Sequence, residues 1–228
     1  MRARLAVLAS GGGTNLQAIL DYFHALGAAR AGDVVLVASD RVGAGALDRA
    51  RTRDIPVTAL RTKANPTGAA LLDALRDGQV DYVVLAGYLR LIPGDVVRAY
   101  AGRIVNVHPA LLPAFGGAGM YGHHVHEAVI AAGARESGPT VHFVDEQFDH
   151  GDVIAQWAVP VRPDDTADTL AARVLRVEHA LYPRVVQALA AGHVRPGQPV
   201  VRGPAVSYGP VDPDDKQLGE DIDDALGL

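Results

Sequence analysis

The chain contains no cysteine, which excludes a disulfide scaffold, a thiolate nucleophile and a thiolate-bound zinc, and is compatible with a reducing compartment. Long apolar runs are also missing. The N-terminal MRARLAVLASGGG offers a short apolar stretch before its glycines, too brief for a signal-peptide core, and nothing approaches the ~18 apolar residues of a membrane span. Basic clusters are lacking as well. With a net charge of −5 and no face on which Lys and Arg gather, the chain is a poor match for a phosphate-backbone binder. The expectation is an untargeted cytoplasmic protein acting on small molecules, with no nucleic-acid or membrane partner, as a monomer or a homodimer.

What is present suits a globular α/β domain: 49% hydrophobic and 21% charged residues over 228 positions are enough to bury a proper core. Short β-rich runs at Arg4 to Ala9, Val34 to Ser39, Val57 to Leu60, Tyr82 to Ala86 and Ile104 to His108 alternate with amphipathic helical segments. This rhythm predicts a Rossmann-like, mostly parallel sheet with helices on both faces, whose ligands bind beyond the carboxyl ends of the strands. Beyond 108 come a Pro/Gly-rich loop, a helix from about Val125 to Ala132 and strands at Thr140 to Val144 and Val153 to Val161. A long helix follows from about Thr166 to Ala191, announced by Asp164, Asp165 and Thr166 and closed by Gly192. One domain over residues 1–202 is expected, with a nucleotide-binding half (about 1–105) and a catalytic half (about 106–202). The acidic Gly/Pro/Asp-rich tail, 203–228, is expected to lie on the surface or to be partly disordered.

Two strand ends carry chemistry. Ser10-Gly11-Gly12-Gly13-Thr14-Asn15-Leu16 follows the first strand and opens a helix, so its backbone can approach an anion at the helix N-terminus. It lacks the spacing of a dinucleotide fingerprint and the Lys of a P-loop, which points to a monophosphate; a tight strand-to-helix turn is the plainer alternative. In Ile104-Val105-Asn106-Val107-His108-Pro109 the two-residue period puts Asn106 and His108 on one face, and Pro109 ends the ladder beside them. An amide and an imidazole can stabilise an oxygen that gains negative charge, or can simply tie down the following loop. The acidic turn Asp145-Glu146-Gln147-Phe148-Asp149 could supply a carboxylate to His108, which would raise its pKa and favour imidazolium. Spacing does not say which acid. On the long helix, Glu178 shares a stripe with Ala171, Val174, Leu181 and Val185. A carboxylate on an apolar face needs a partner, either a ligand ammonium or a nearby Arg173 or Arg176.

Together SGGGTNLQ (10–17), AGYLRLI (86–92), NVHPALLP (106–113), the 145–149 turn and VEHALYP (177–183) resemble the phosphoribosylglycinamide formyltransferase family, over about residues 4–200. The resemblance implies formyl transfer from 10-formyltetrahydrofolate, as cosubstrate and without a metal, to the amine of glycinamide ribonucleotide in purine biosynthesis. It implies a catalytic set of Asn106, His108 and Asp149, and a ribonucleotide site at Gly13, Thr14, Asn15 and Glu178. The implied folate site comprises Arg61, Leu89, Arg90, Leu91, Ile92 and Asn106, with Asp145, Glu146, Gln147, Phe148 and Asp149 closing over the pterin. The segment Ala114 to Val125 is longer than the family's compact loop, and with His126 it brings His123 and His124; their spacing is wrong for a metal on one helix face, so exposed histidines are expected. Rival readings are a formyltetrahydrofolate hydrolase, a methionyl-tRNA or sugar-amine formyltransferase, and a non-catalytic nucleotide-binding module. The first two usually carry an additional domain, for which this length leaves no room.

Overall fold

The computed structural model describes residues 1–60, 68–203 and 214–228. Strands β1 (Ala3–Leu8), β2 (Gly32–Ser39), β3 (Val57–Ala59), β4 (Tyr82–Leu85), β5 (Ile104–His108), β7 (Thr140–Phe143), β8 (Val153–Gln156) and β10 (Val201–Arg202) form one sheet, in the order β10-β8-β7-β5-β4-β1-β2-β3. A pair, β6 (Glu136–Ser137) and β9 (Val159–Pro160), stands apart from it. From β3 to β5 every pairing is parallel; β7 runs antiparallel to both β5 and β8. The mostly parallel sheet is the one expected.

The two-residue period of the strands divides the core into two layers. On one face Leu5, Val7 and Val105 pack with α1 (Thr14–Leu26) and α6 (Ala167–Ala190). On the other, Ala6, Leu8, Val83 and Ile104 pack with α3 (Ala69–Asp77) and α4 (Gly94–Ala99). LAVL in β1 is buried on both sides, as its unbroken apolar run requires. Helix α2 (Gly45–Arg51) lies beside the glycine loop, and α5 (His123–Ala131) follows the long loop.

The expected strand 153–161 is two strands. Pro139 has no N–H to continue the ladder, and Gly138 at φ 141 lies so close to the Trp157 carbonyl that a Cβ would come within 2.0 Å of it. The chain therefore leaves the main sheet at Trp157 and pairs again as β9 with β6. The tail contains a helix, α7 (Asp215–Leu226), which is capped by Asp214 and docked on α6, with Leu218 and Ile222 buried. Residues 204–213 are outside the described part.

Candidate active site

The carboxyl ends of β1, β4 and β5 open into a cavity of about 430 Å³, whose wall includes Asn15, Leu89–Ile92, Asn106, His108, His142, Gln147–Asp149 and Glu178. This is the position that the strand order predicts for a ligand.

At its base lies a polar network built on two antiparallel strands. Register places Asn106 of β5 opposite His142 of β7, and Asn106 Nδ2 stands 3.1 Å from His142 Nε2. His142 Nδ1 is 2.7 Å from the Phe143 carbonyl. A carbonyl only accepts, so the proton is on Nδ1 and Nε2 can accept from Asn106. That leaves the second N–H of the Asn106 amide for a ligand. His108 is arranged in the opposite sense: its Nε2 donates to the Phe115 carbonyl at 2.8 Å, and Nδ1 is 3.5 Å from Asp149 Oδ2. Asp149 also reaches His142 Nε2 at 3.6 Å and accepts from the Gly117 amide at 3.0 Å. Burial pushes the Asp149 carboxyl upward, but the adjoining imidazoles of His142 and His108 and the Gly117 amide outweigh it and hold the pKa below the usual range. Asp149 has φ 54, an uncommon conformation for a non-glycine residue that aims its side chain back under the loop.

His108 departs from expectation. Its pKa is lowered, because burial outweighs the opposing charge of Asp149 and the bond to Phe115, and His142 adds to the lowering. The imidazole is only 3% exposed. The nearby carboxylate does not make imidazolium the resting form.

Glu178 sits on the cavity-facing stripe of α6 and is 6% exposed. Tyr182, one turn further on, donates its hydroxyl to the Leu85 and Val105 carbonyls at 2.9 and 3.2 Å. This anchors α6 to β4 and β5. Asn15 Nδ2 donates to Glu178 Oε2 at 2.7 Å, while the buried Asn15 Oδ1 has no partner among the described residues. Burial raises the Glu178 carboxyl to about 7 against the pull of Asn15. Of its expected arginine partners, Arg173 pairs with Asp165 at 2.7 Å and Arg176 with Asp215 at 2.5 Å. Gly13 and Thr14 do not line the cavity; Gly13, at φ 74, caps α1 and packs against Ala46.

The 87–91 segment is held from below. Ser10 Oγ donates to Asp40 Oδ1 at 2.6 Å and accepts from the Leu89 amide at 3.0 Å, and Arg90 Nε donates to Asp40 Oδ2 at 2.9 Å. Leu89, Leu91 and Phe148 are exposed apolar residues at the cavity. Asp145 and Glu146 are not brought to its wall. Asp145 pairs with His150 at 2.7 Å and Glu146 with Arg98 at 2.9 Å, so these acids tie the loop down at its start. Arg61 lies outside the described residues.

Several wall residues were not singled out from sequence, among them His142, Met120, Tyr121 and Leu175. His142 was legible in principle, since pairing the TVHF alternation of β7 with β5 puts one polar position opposite Asn106. His126 corrects the expectation of exposed histidines. The helix starts at His123, earlier than expected, so His126 falls with Val125 and Val129 on the inner face and is 5% exposed. His123 and His124 are exposed, and His123 Nε2 reaches Asp168 of α6 at 2.8 Å.

Fold and site together define an open α/β protein with a polar-based ligand cavity at the carboxyl ends of its strands. Residues 3–186 match the family model described as "Formyl transferase". The chain is 50% identical over 192 residues to the chloroplastic phosphoribosylglycinamide formyltransferase of Vigna unguiculata, covering 82% of this chain and 61% of that protein. It is 39% identical over 201 residues to the bovine trifunctional purine biosynthetic protein adenosine-3, covering 86% of this chain and 19% of that one. Thus the chain spans less than two thirds of the length of these curated relatives. Among solved structures, glycinamide ribonucleotide transformylase 1 of Symbiobacterium toebii matches with a TM-score of 0.79 at 40% identity, covering 88% of this chain and 92% of that one. The phosphoribosylglycinamide formyltransferase of Coxiella burnetii matches with a TM-score of 0.79 at 34% identity, covering 87% and 92%. The chain belongs to the formyl transferase family, on the branch of the phosphoribosylglycinamide formyltransferases.

Proposed function

We propose that this chain transfers the formyl group of 10-formyltetrahydrofolate to the amine of glycinamide ribonucleotide, in purine biosynthesis. The observation that carries this reading is the Asn106, His142, Asp149 and His108 network at the base of an otherwise largely apolar cleft. A flat pterin and aminobenzoate suit the exposed Leu89, Leu91 and Phe148 at that cleft. The ribonucleotide would place its phosphate on the Gly13–Asn15 loop and its glycinamide end toward Glu178.

In the reaction the amine nitrogen bonds to the formyl carbon, and the carbonyl oxygen takes up the displaced electron pair. The free N–H of Asn106 is the donor available to that oxyanion. The attacking nitrogen must lose a proton, and His108 Nδ1 is the basic atom facing Asp149. Protonation there creates an imidazolium beside a carboxylate, so Asp149 stabilises the intermediate state more than the resting one. Collapse breaks the bond from carbon to the folate nitrogen, which receives the proton. A cytoplasmic location goes with this small-molecule chemistry; among the described residues no helix is long and apolar enough to cross a membrane.

The test follows the ultraviolet absorbance of 10-formyltetrahydrofolate incubated with the protein, with and without glycinamide ribonucleotide. Deformylation that requires the ribonucleotide is the expected result. Acceptor-independent deformylation would favour a hydrolase, the activity named for a Pseudomonas syringae structure that is 25% identical to this chain; no change in either cuvette would overturn the proposal.

A further inference from the structure

The peptide planes of the glycine loop are set by the helix beside it. The Gly11 carbonyl accepts from the Ala46 amide at 3.1 Å, and the Gly12 carbonyl accepts from Arg49 Nε at 2.7 Å. Both donors belong to α2. In a trans peptide the C=O and the next N–H point in opposite directions. Anchoring these carbonyls on α2 therefore turns the N–H groups of Gly12 and Gly13 away from it. On the open side, a Cβ added at Gly11 or Gly12 would meet nothing within 4 Å, whereas one at Gly13 would lie 2.7 Å from Ala46 Cβ. The loop is thus tight against α2 and free toward a ligand.

Arg49 does more than hold one carbonyl. Its Nη1 donates to Gln17 Oε1 at 3.0 Å, and the backbone N–H of Gln17 donates to the Gly13 carbonyl at 2.9 Å. The guanidinium therefore spans from the loop to the first turn of α1. No acidic residue lies in that first turn and no side chain caps it. A charged donor on a carbonyl also polarises the peptide, which strengthens the N–H on its far side.

We propose that Arg49 is a positioning residue for the ribonucleotide phosphate, acting through the Gly12 carbonyl to aim the Gly12 and Gly13 amides at one anion. This rests on the reading of the loop as a phosphate site. The test titrates inorganic phosphate into ¹⁵N-labelled full-length protein and follows the Gly12 and Gly13 amides, for the wild type, Arg49→Met and Gln17→Ala. It is combined with KM for each substrate. Loss of one charge-assisted bond predicts phosphate binding and ribonucleotide KM weakened about tenfold in Arg49→Met, with folate KM unchanged within about twofold. Gln17→Ala, which only loosens the guanidinium, should weaken phosphate about threefold, and it serves if Arg49→Met does not fold.

A positioning effect persists in high salt, while simple attraction by an exposed cation fades as the Debye length shrinks to about 3 Å near 1 M. A wild-type protein whose loop amides ignore phosphate would overturn the phosphate reading and this inference with it. Phosphate binding unchanged in both variants, or a variant effect that vanishes in salt, would overturn the role of Arg49 alone.

Discussion

At the scale of single residues, the tautomer of His108 decides its use. Nε2 spends its proton on the Phe115 carbonyl, so the site for a second proton is Nδ1, facing Asp149. Burial lowers the His108 pKa and the charge of Asp149 opposes it. Asp149→Asn removes the opposing charge, so the pKa falls further and the acid limb of the kcat/KM profile should move to lower pH. Turnover should drop about 10²- to 10⁴-fold, since the imidazolium formed in the reaction loses its counter-charge. A pH–rate series on both proteins checks this; an acid limb that moves upward would contradict the assignment. Glu178 titrates under the opposite constraint. Its carboxyl is raised to about 7 in the folded protein, against an ordinary 4.5 for glutamate. Below the unfolded value both states are protonated, and the group has no effect. As pH rises from there through about 7, the unfolded chain loses its proton first, so stability falls, by on the order of 3 kcal/mol once the folded group also ionises. Glu178→Gln should therefore melt higher than the wild type at pH 8 and about equally at pH 4, while ribonucleotide KM rises. Paired thermal melts at the two pH values measure it.

At the scale of elements, legibility followed local signals. Pro109 ends β5 beside Asn106 and His108, so that strand and its two polar residues could be read directly. So could the start of α6, where Thr166 caps the helix with Thr169. What could not be read depends on pairing across distance. His142 gains its place only when β7 lies antiparallel to β5, and the split of 153–161 follows from Gly138 meeting the Trp157 carbonyl. The helical spacing of Leu218, Ile222 and Leu226 was present in the tail, but Gly, Pro and Asp composition obscured it. The turn that carries Asp149 is itself held by a close backbone approach. A Cβ on Gly151 would lie 2.1 Å from the Phe143 carbonyl oxygen, next to His142 and at the start of the segment that leads into β8. Gly151→Ala must separate these backbones, which costs roughly 1–3 kcal/mol of stability and misplaces Asp149 relative to His108. Turnover should fall with the thermal midpoint. Gly43→Ala, where the new Cβ meets nothing within 4 Å, should leave both unchanged.

At the scale of the whole molecule, α7 joins the stability of the fold to a segment outside residues 3–186, the part that matches the family model. Arg184 of α6 bonds Asp223 of α7 at 2.8 Å and stacks over Tyr22 of α1, 4.8 Å from the ring centre. Gly219 lets α7 approach, since a Cβ there would lie 2.3 Å from Arg184 Nη2. Three helices are thus clamped together, and Ile222, fully buried, is the apolar centre of the contact. The cavity is served by a different stripe of α6, through Ala171, Leu175 and Glu178. Stability and substrate binding should therefore separate. Ile222→Ala leaves a cavity in the core and should cost about 2–4 kcal/mol, lowering the thermal midpoint by roughly 5–15 °C for a chain of this size. KM for both substrates should stay within about twofold, because the helix stripe that faces them keeps its anchor at Tyr182. Trypsin gives a local reading of the same event, since Lys216 lies in the first turn of α7 and should be cut sooner once the helix undocks. A KM that rose in step with the loss of stability would instead mean that α7 holds the cavity-facing side of α6 in place.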